Sequence, residues 1–578
     1  MKELICAGQQ FLLPEENPVT PEISLQEDKD GVRVYRINWH SETPIGNLRV
    51  VLPLPMLRVL NVFLSTCCRD HVLHQWWAAT RSESRFYFGA PFLCATQGDD
   101  INYALVALSD AVDDNCISFG VNDFADRDTV EFNIDLLTGR KLVKDHSVLL
   151  RVDTRELTLT DSMKQLSDWW LSFYPLRAEI PEDAEEPLYS SWYNYHTHPS
   201  ADSLRRELTE AAEMGFKTVI LDDGWQYDGD GDGSYSQCGD WHFSGAKFPD
   251  ARQFMQEVHD LGLKLALWFC VPYVGWHTEA YQKYKNKLLL DVPSQETGVL
   301  DVRYADVREH IVNTLCDFVE KTGLDGLKLD FIDAIRLEDD SPAANEEMDV
   351  PDLSQAVIRL LTDLEDRLKV VCPGALLEYR HNYIGPAITR FGNMLRVGDC
   401  AFDCQINRRG IADLRLLHHP IAVHSDMLYW SPRETPENCG RQLANILFGV
   451  PQISVLLQNS TAEQKAVITR YVRYWKANKQ VLMHGKFITH RQDMDFPILE
   501  AVTEEKRIVG SYAPMTVPVD GKVTDIWNGS EGDRVVVRLC CTRNYTVEDC
   551  FGKQLAAGQL AAGMHEVTVP VGGTLLLK

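Results

Sequence analysis

Between residues 188 and 485, apolar runs alternate with helical stretches, and this alternation restricts the fold more than any other property of the chain. Eight runs read as strands: Leu188–Tyr195, Thr218–Trp225, Lys264–Tyr273, Gly326–Ala334, Ala375–Tyr383, Asn393–Ala401, Ala422–Trp430 and Gln452–Gln458. Amphipathic segments separate most of them. Residues 307–322 carry Val307, Ile311, Leu315, Phe318 and Val319 on one face, with Asp306 placed as N-cap and Gly323 just past the end. Residues 352–369 carry Leu353, Val357, Leu360, Leu361, Leu364 and Leu368 on one stripe. Such an α/β chain predicts a central (β/α)8 TIM barrel over 188–485. No Gly-x-Gly-x-x-Gly fingerprint follows the first strand, which argues against an open nucleotide-binding sheet.

The flanks differ. Residues 1–160 are β-rich, with short runs such as Val32–Ile37, Leu48–Leu52, Tyr103–Leu108 and Ser147–Val152 between polar turns. Residues 161–187 read as a helical bridge, with Met163, Leu166, Trp169, Trp170 and Phe173 on one face, and then an acidic, proline-containing linker. Residues 486–578 return to strand-like runs at Arg507–Tyr512, Arg534–Leu539 and Glu566–Val571, which predicts a small C-terminal β-sandwich.

Charge and cysteine usage exclude several partners. With 84 acidic against 57 basic residues the formal charge is −27, a surface that repels nucleic acid and anionic lipid. No apolar run reaches the roughly 18 residues of a membrane span. The N-terminal stretch MKELICAGQQFLLPEENPV lacks the apolar core of a signal peptide. The fifteen cysteines are scattered and odd in number, so reduced thiols in a cytoplasm are expected. Cys400 and Cys404, and the doublets Cys67-Cys68 and Cys540-Cys541, have no companions at zinc-ligand spacing. No metal and no cofactor is expected.

Two strand-like runs end abruptly in aspartate: Gly326-Leu-Lys-Leu-Asp330 and Leu395-Arg-Val-Gly-Asp399. Strand counting places Asp330 at the end of the fourth strand and Asp399 at the end of the sixth. Barrel enzymes carry their reacting groups at these C-terminal ends. Two carboxylates facing one pocket are what glycoside hydrolysis requires. Lys328 shares a face with Asp330, where it either keeps the carboxylate ionised and binds a hydroxyl or forms a buried ion pair with it. The second strand ends Leu221-Asp-Asp-Gly-Trp225. Asp222 and Asp223 suit sugar hydroxyls, and Trp225 suits the apolar face of a ring, although Asp-Gly is also a common turn pair. Trp192, Trp241 and Trp268 are either aromatic walls or core. Asp228, Asp230, Asp232 and Gly233 form the front half of a calcium loop, but Gly239 stands where a glutamate is needed, so a solvated acidic loop is the reading.

Taken together, Ser191-Trp192, Leu221–Trp225, Gly239-Asp-Trp241 with Phe248-Pro249, Gly262–Phe269, Leu327–Asp330, Arg396–Asp399 and His424-Ser-Asp426 resemble the melibiase-type glycoside hydrolases, family 36 of clan D, which includes many α-galactosidases. The resemblance implies an N-terminal β-sandwich before the barrel and a small β-domain after it. It implies hydrolysis with retention by an exo-acting α-glycosidase, Asp330 as nucleophile and Asp399 as general acid/base. Asp222, Asp223 and Lys328 would bind hydroxyls, and Trp192 and Trp225 would line the pocket, with Trp268 of the third strand a further wall candidate from its position. Trp76, or its neighbour Trp77, would reach in from the N-terminal domain beside Arg81. The chain departs from the family at three places. Cys270-Val271-Pro272 replaces Glu-Pro-Glu, Glu378–Pro386 replaces a Cys-Ser-Gly-Gly-Gly stretch, and Gly398–Asp403 replaces Ser-Asp-Asp-Thr-Asp. Arg380 and Arg396 therefore enter the pocket as substrate-contacting candidates. Asp403 is a second candidate for the acid or a supporting carboxylate. Asp399 is expected to have its pKa raised to about 6–7, and retention requires carboxyls about 5–5.5 Å apart. The expected ligand is a small α-glycoside or oligosaccharide, and large family members often form homo-oligomers. A transglycosylase and a catalytically silent carbohydrate-binding barrel are the competing readings. A metal-dependent barrel hydrolase lacks its His-x-His strand.

Overall fold

A computed structural model describes residues 1–65, 73–75, 79–123, 128–229, 233–400, 402–417 and 421–578. Two six-stranded sheets precede the barrel, and alternating side chains along their strands bury one face of each. Val50, Leu52, Phe119, Phe132 and Ile134 of one sheet meet Tyr35, Ile37, Val106 and Leu150 of the other in a single apolar core. The helix Leu159–Leu171 follows, capped by the Thr158 hydroxyl, which accepts from the Asp161 N–H. It buries Met163, Leu166 and Trp170, and the Trp170 indole donates to the Leu108 carbonyl at 2.9 Å. This helix ties the N-terminal sheets to the barrel.

Eight strands form one all-parallel sheet: β1 Leu188–Ser190, β2 Thr218–Leu221, β3 Lys264–Cys270, β4 Gly326–Asp330, β5 Leu376–Arg380, β6 Met394–Arg396, β7 Ala422–His424 and β8 Gln452–Ile453. Neighbours pair in chain order, and β8 returns to β1. Hydrogen bonds from Val450 N to Val423 O (2.8 Å) and from Ser425 N to Val450 O (3.0 Å) close the ring between β7 and β8. One barrel helix follows each strand in turn: α1 Ala201–Met214, α2 Ala251–Asp260, α3 Ala305–Thr322, α4 Leu353–Val371, α5 Pro386–Thr389, α6 Cys404–Leu417, α7 Pro436–Asn445 and α8 Ala462–Ala477. The chain is thus a TIM barrel with flanking sheet domains. Leu188, Ile220, Ala266, Leu376, Met394 and Ala422 fill the lower interior as an apolar plug over Ala184. Above that plug the inward positions include the polar Ser190, Lys328, Glu378, Arg396 and His424 beside Trp268 and Cys270 of β3.

The strands are shorter than the apolar runs. β1 stops at Ser190, and Trp192–Tyr195 turns into one helical turn. The Ser454 hydroxyl accepts from the backbone N–H groups of Tyr193 and Asn194, which holds that turn across the barrel mouth. Asp306 is not a helix cap. α3 starts one residue earlier behind Tyr304, and the Asp306 carboxylate instead accepts from Lys287 at 2.8 Å. Asp352 does cap α4. After the barrel, a seven-stranded and a three-stranded sheet enclose Val509, Ile526, Val537 and Leu575. Among the described residues no helix is long and apolar enough to cross a membrane.

Candidate active site

Strand alternation points Lys328 and Asp330 of β4 inward, while Leu327 and Leu329 face the helix layer. Asp330 is the last residue of its strand. Its Oδ2 accepts from the Trp268 indole of β3 at 3.0 Å, and its Oδ1 accepts from Arg380 Nε of β5 at 2.5 Å and from the Phe331 N–H at 2.8 Å. Burial alone would lift its pKa. The charge of Arg380, then that of Lys328, and the hydrogen bonds from Arg380 and Trp268 outweigh burial and hold the carboxyl below its ordinary value.

Lys328 is buried, and its ammonium lies 2.5 Å from Asp222 Oδ2 at the end of β2. Burial works against its charge, and Asp222, with Asp330 and Glu378 adding to it, outweighs burial. The direct ion pair is therefore Lys328–Asp222, and Lys328 acts on Asp330 through space. Asp222 also accepts from the Asp223 N–H and donates its own N–H to the Ser191 hydroxyl. Asp223 lies beside it, with one oxygen taking the Gln226 amide at 2.9 Å and the other the Ser234 hydroxyl at 2.7 Å. Burial raises its pKa to about 6.

A second charged cluster crosses β5, β6 and β7. Arg396 is buried, 2.5 Å from Asp426, 2.9 Å from Asp399 and 3.6 Å from Glu378. Asp426 takes further bonds from the Tyr193 hydroxyl (2.9 Å) and the Cys400 N–H (2.8 Å). Gln452 donates to Glu378 at 2.6 Å. Burial raises both Glu378 and Asp426, against the pull of neighbouring cations.

Asp399 stands at the rim with its side chain 62% exposed, on the Arg396 guanidinium. Arg396 lowers its pKa, against burial, and Lys328 adds to the lowering. This corrects the expectation of a raised acid: Arg396 favours the ionised form of Asp399. Asp330 acts on it in the opposite sense. Asp403 is exposed, and its Oδ1 accepts from the Gln405 and Ile406 N–H groups at 3.0 and 2.9 Å. It caps the start of α6, which accounts for a carboxylate at that position without a pocket role.

The tryptophans divide. Trp268 belongs to the site through its bond to Asp330. Trp225 does not line a pocket. It is 0% exposed, stacks on Trp241 at 5.9 Å, packs against Phe243, Phe269 and Phe318, and donates to the Trp268 carbonyl. At positive φ, Gly224 turns the chain so that this ring falls between the strand and helix layers. Trp192 is half-buried on the turn after β1, edge-on to His196. Trp76, Asp230 and Asp232 lie outside the described residues. Among the described residues no group of three His, Cys, Asp or Glu side chains is placed to hold a metal ion.

The sequence did not single out Tyr193, Asp333, Tyr383 or Tyr235. Asp333 accepts from Arg380 at 3.1 Å and from the Tyr383 hydroxyl at 2.8 Å. Tyr235 stacks on Trp268 at 6.1 Å. Tyr193, Asp333 and Tyr383 fall inside the first, fourth and fifth apolar runs, where no further pattern marked them as site residues. The three tyrosines lie past the ends of β1, β2 and β5, where strand alternation no longer sets a side chain's direction.

Residues 160–381 match the Melibiase family model, from the bridge helix through β5. Asp222, Lys328 and Asp330 lie inside the matched residues. It is 26% identical over 219 residues to Alpha-galactosidase 2 of Pediococcus pentosaceus, covering 36% of this chain and 29% of that protein. It spans less than a third of the length of the curated relatives it matches. The fold is similar to that of the family GH36 α-galactosidase AgaA of Geobacillus stearothermophilus, with a TM-score of 0.66 at 15% identity over 99% of this chain and 89% of that one. A variant of AgaA in complex with stachyose gives a TM-score of 0.64 at 14% identity over 95% and 80% of the two chains.

Proposed function

We propose that this chain, with its Melibiase domain spanning residues 160–381, is a retaining, exo-acting α-glycosidase of the α-galactosidase type. Its substrate would be a small α-glycoside or oligosaccharide. The observation that carries the reading is the state of Asp330. It sits at a barrel strand end, held ionised beside Arg380 and Lys328, and its charge is felt by a second aspartate, Asp399, that rests on Arg396. The names of the relatives and the stachyose bound by the AgaA variant support the sugar class.

In this reading an Asp330 oxygen attacks the anomeric carbon as the glycosidic bond breaks. The departing electron pair goes to the leaving oxygen, which takes a proton from Asp399. Water, deprotonated by Asp399, then displaces Asp330 from the glycosyl ester. Asp399 begins ionised on Arg396, so it must gain its proton as substrate enters. A sugar over the rim removes water from a half-exposed carboxylate, and desolvation favours the neutral acid. Asp222, Asp223 and Lys328 present the donors and acceptors that orient hydroxyl groups, and Trp268 supplies an apolar edge.

A panel of aryl α-galactoside, α-glucoside and α-N-acetylgalactosaminide, with the matching β-forms, tests this directly. NMR of the first-formed sugar should show the α-anomer from the α-galactoside. The β-anomer as first product, or near-normal turnover by Asp330→Ala, overturns the reading. Transglycosylation would use the same carboxylates, and products formed with added sugar acceptor separate it from hydrolysis.

A further inference from the structure

We infer that Arg380 is the positioning residue for the nucleophile: it pins Oδ1 of Asp330 and leaves Oδ2 as the attacking atom. This rests on the reading of Asp330 as nucleophile. The fifth strand runs beside the fourth with Lys328 opposite Glu378, so two residues further on Arg380 comes level with Asp330. Oδ1 receives two donors, Arg380 Nε at 2.5 Å and the Phe331 N–H at 2.8 Å. Oδ2 receives one, the Trp268 indole at 3.0 Å. A carboxylate oxygen offers two lone pairs. Oδ1 is therefore saturated, and Oδ2 keeps one pair free to attack.

The clamp is itself fixed. Phe331 adopts φ 59°, the left-handed turn that aims its N–H back at the side chain before it. Arg380 Nη2 reaches both oxygens of Asp333 at 3.1 and 3.3 Å, and Asp333 is held by the Tyr383 hydroxyl. The guanidinium lies over the Phe331 and Tyr383 rings, 5.5 and 5.2 Å from their centroids. Asp333 gives the clamp a resting partner. When the Oδ2–C1 bond forms and the C1–O bond of the leaving group breaks, Asp330 becomes a neutral ester. Arg380 then keeps Asp333 as its counter-charge. When water attacks C1, the electron pair of the ester returns to Asp330, and Arg380 receives the restored carboxylate.

The charges that face Asp330 are few. Arg380 and Lys328 favour its ionised form; Asp333 and Asp399 are the neighbouring acids. Cys270, Tyr235 and Tyr383 are pushed up by burial and stay protonated. Removing Arg380 therefore takes away the larger of the two supporting charges.

The Trp268 indole reports this without any substrate, because its N–H is bonded to Asp330. In the 15N-labelled full chain, its resonance is assigned by its loss in Trp268→Phe and then followed against pH. The wild-type midpoint should lie below the ordinary aspartate value of about 3.9. In Arg380→Met it should rise by about one to three units, and Arg380→Lys should fall between. Should the methionine variant not fold, the lysine variant carries the comparison, since one ammonium cannot hold Asp330 and Asp333 in the same fork. Equal midpoints in wild type and variants overturn the inference. If Asp330 is the nucleophile, the acid limb of kcat/KM moves with the indole. A moved indole with an unmoved acid limb keeps the clamp and rejects Asp330 as nucleophile.

Discussion

Arg396→Met tests whether the buried charges at the centre of the barrel hold one another in place. Arg396 is 1% exposed and faces Asp426, Asp399 and Glu378 at 2.5, 2.9 and 3.6 Å. Methionine keeps an apolar side chain of similar reach, so the change is chiefly electrostatic. Burial lifts the Asp426 carboxyl, and Arg396 is the largest influence opposing it. Without Arg396, Asp426 must either stay charged in the interior or take a proton. Protonating an aspartate of ordinary pKa about 3.9 costs about 4 kcal/mol at pH 7 and about 1.5 kcal/mol at pH 5. These are upper limits, since burial already lifts the group in the parent. The pH 7 figure lies within the roughly 3–5 kcal/mol expected for breaking one side of a buried pair. The folded pKa of Asp426 in the variant lies above its unfolded value. The loss is therefore present above the unfolded pKa and fades as pH falls toward it. Urea unfolding followed by tryptophan fluorescence should show a larger deficit at pH 7 than at pH 5. Adding Asp426→Asn should recover half or more of the pH 7 deficit. A loss equal at both pH values, a loss under about 1 kcal/mol at pH 7, or a double variant no better than the single one refutes the reasoning.

Other substitutions probe the parts of the site separately. Trp225→Ala should cost about 3–5 kcal/mol while leaving KM unchanged at temperatures where the variant is folded; a raised KM would return Trp225 to the pocket. Gly224 sits at φ +101° and a Cβ there would meet the Thr197 backbone at 2.5 Å, so Gly224→Ala should lower the melting temperature and misplace Asp223. Asp403→Ala should cost about 1 kcal/mol as a lost helix cap and keep most activity. Asp399→Ala should lose turnover of poor leaving groups but retain the first step on a nitrophenyl glycoside, a pattern that azide rescue can label.

The barrel was legible because its strands and helices carry different periods along the chain. The strand count put Asp330 at the end of β4, as found, whereas β6 stops at Arg396 and Asp399 lies three residues beyond it. Inward and outward facing could be read by alternation within β4, and Lys328 and Asp330 do share a face. Alternation fails where a strand ends. Trp225 follows a glycine at positive φ, so its ring leaves the strand's pattern and falls into the core. The partner of Lys328 was equally hidden, because Asp222 lies on a strand two positions away around the ring and only barrel curvature brings them together. Asp399 was expected as a buried acid. The neighbour that holds it ionised, Arg396, was visible three residues earlier, but the exposure that weakens burial was not. The fifth strand was recognised as unusual from Glu378 to Pro386, and its arginine is the residue that now touches the proposed nucleophile. The tyrosines on Asp426 and Asp333 lie past the ends of β1 and β5, where alternation no longer gives their direction.

The most direct test of the account is to trap the covalent intermediate. The full chain would be incubated with an α-galactosyl fluoride carrying a ring fluorine, which slows both chemical steps while the activated leaving group permits the first. Mass analysis of the digested protein should find one sugar per chain, on the peptide containing Asp330, and none on Arg380→Met held below the shifted midpoint of its Asp330. A label on Asp399, a label elsewhere, or turnover with no label at all would contradict the assignment of Asp330 as the group that attacks.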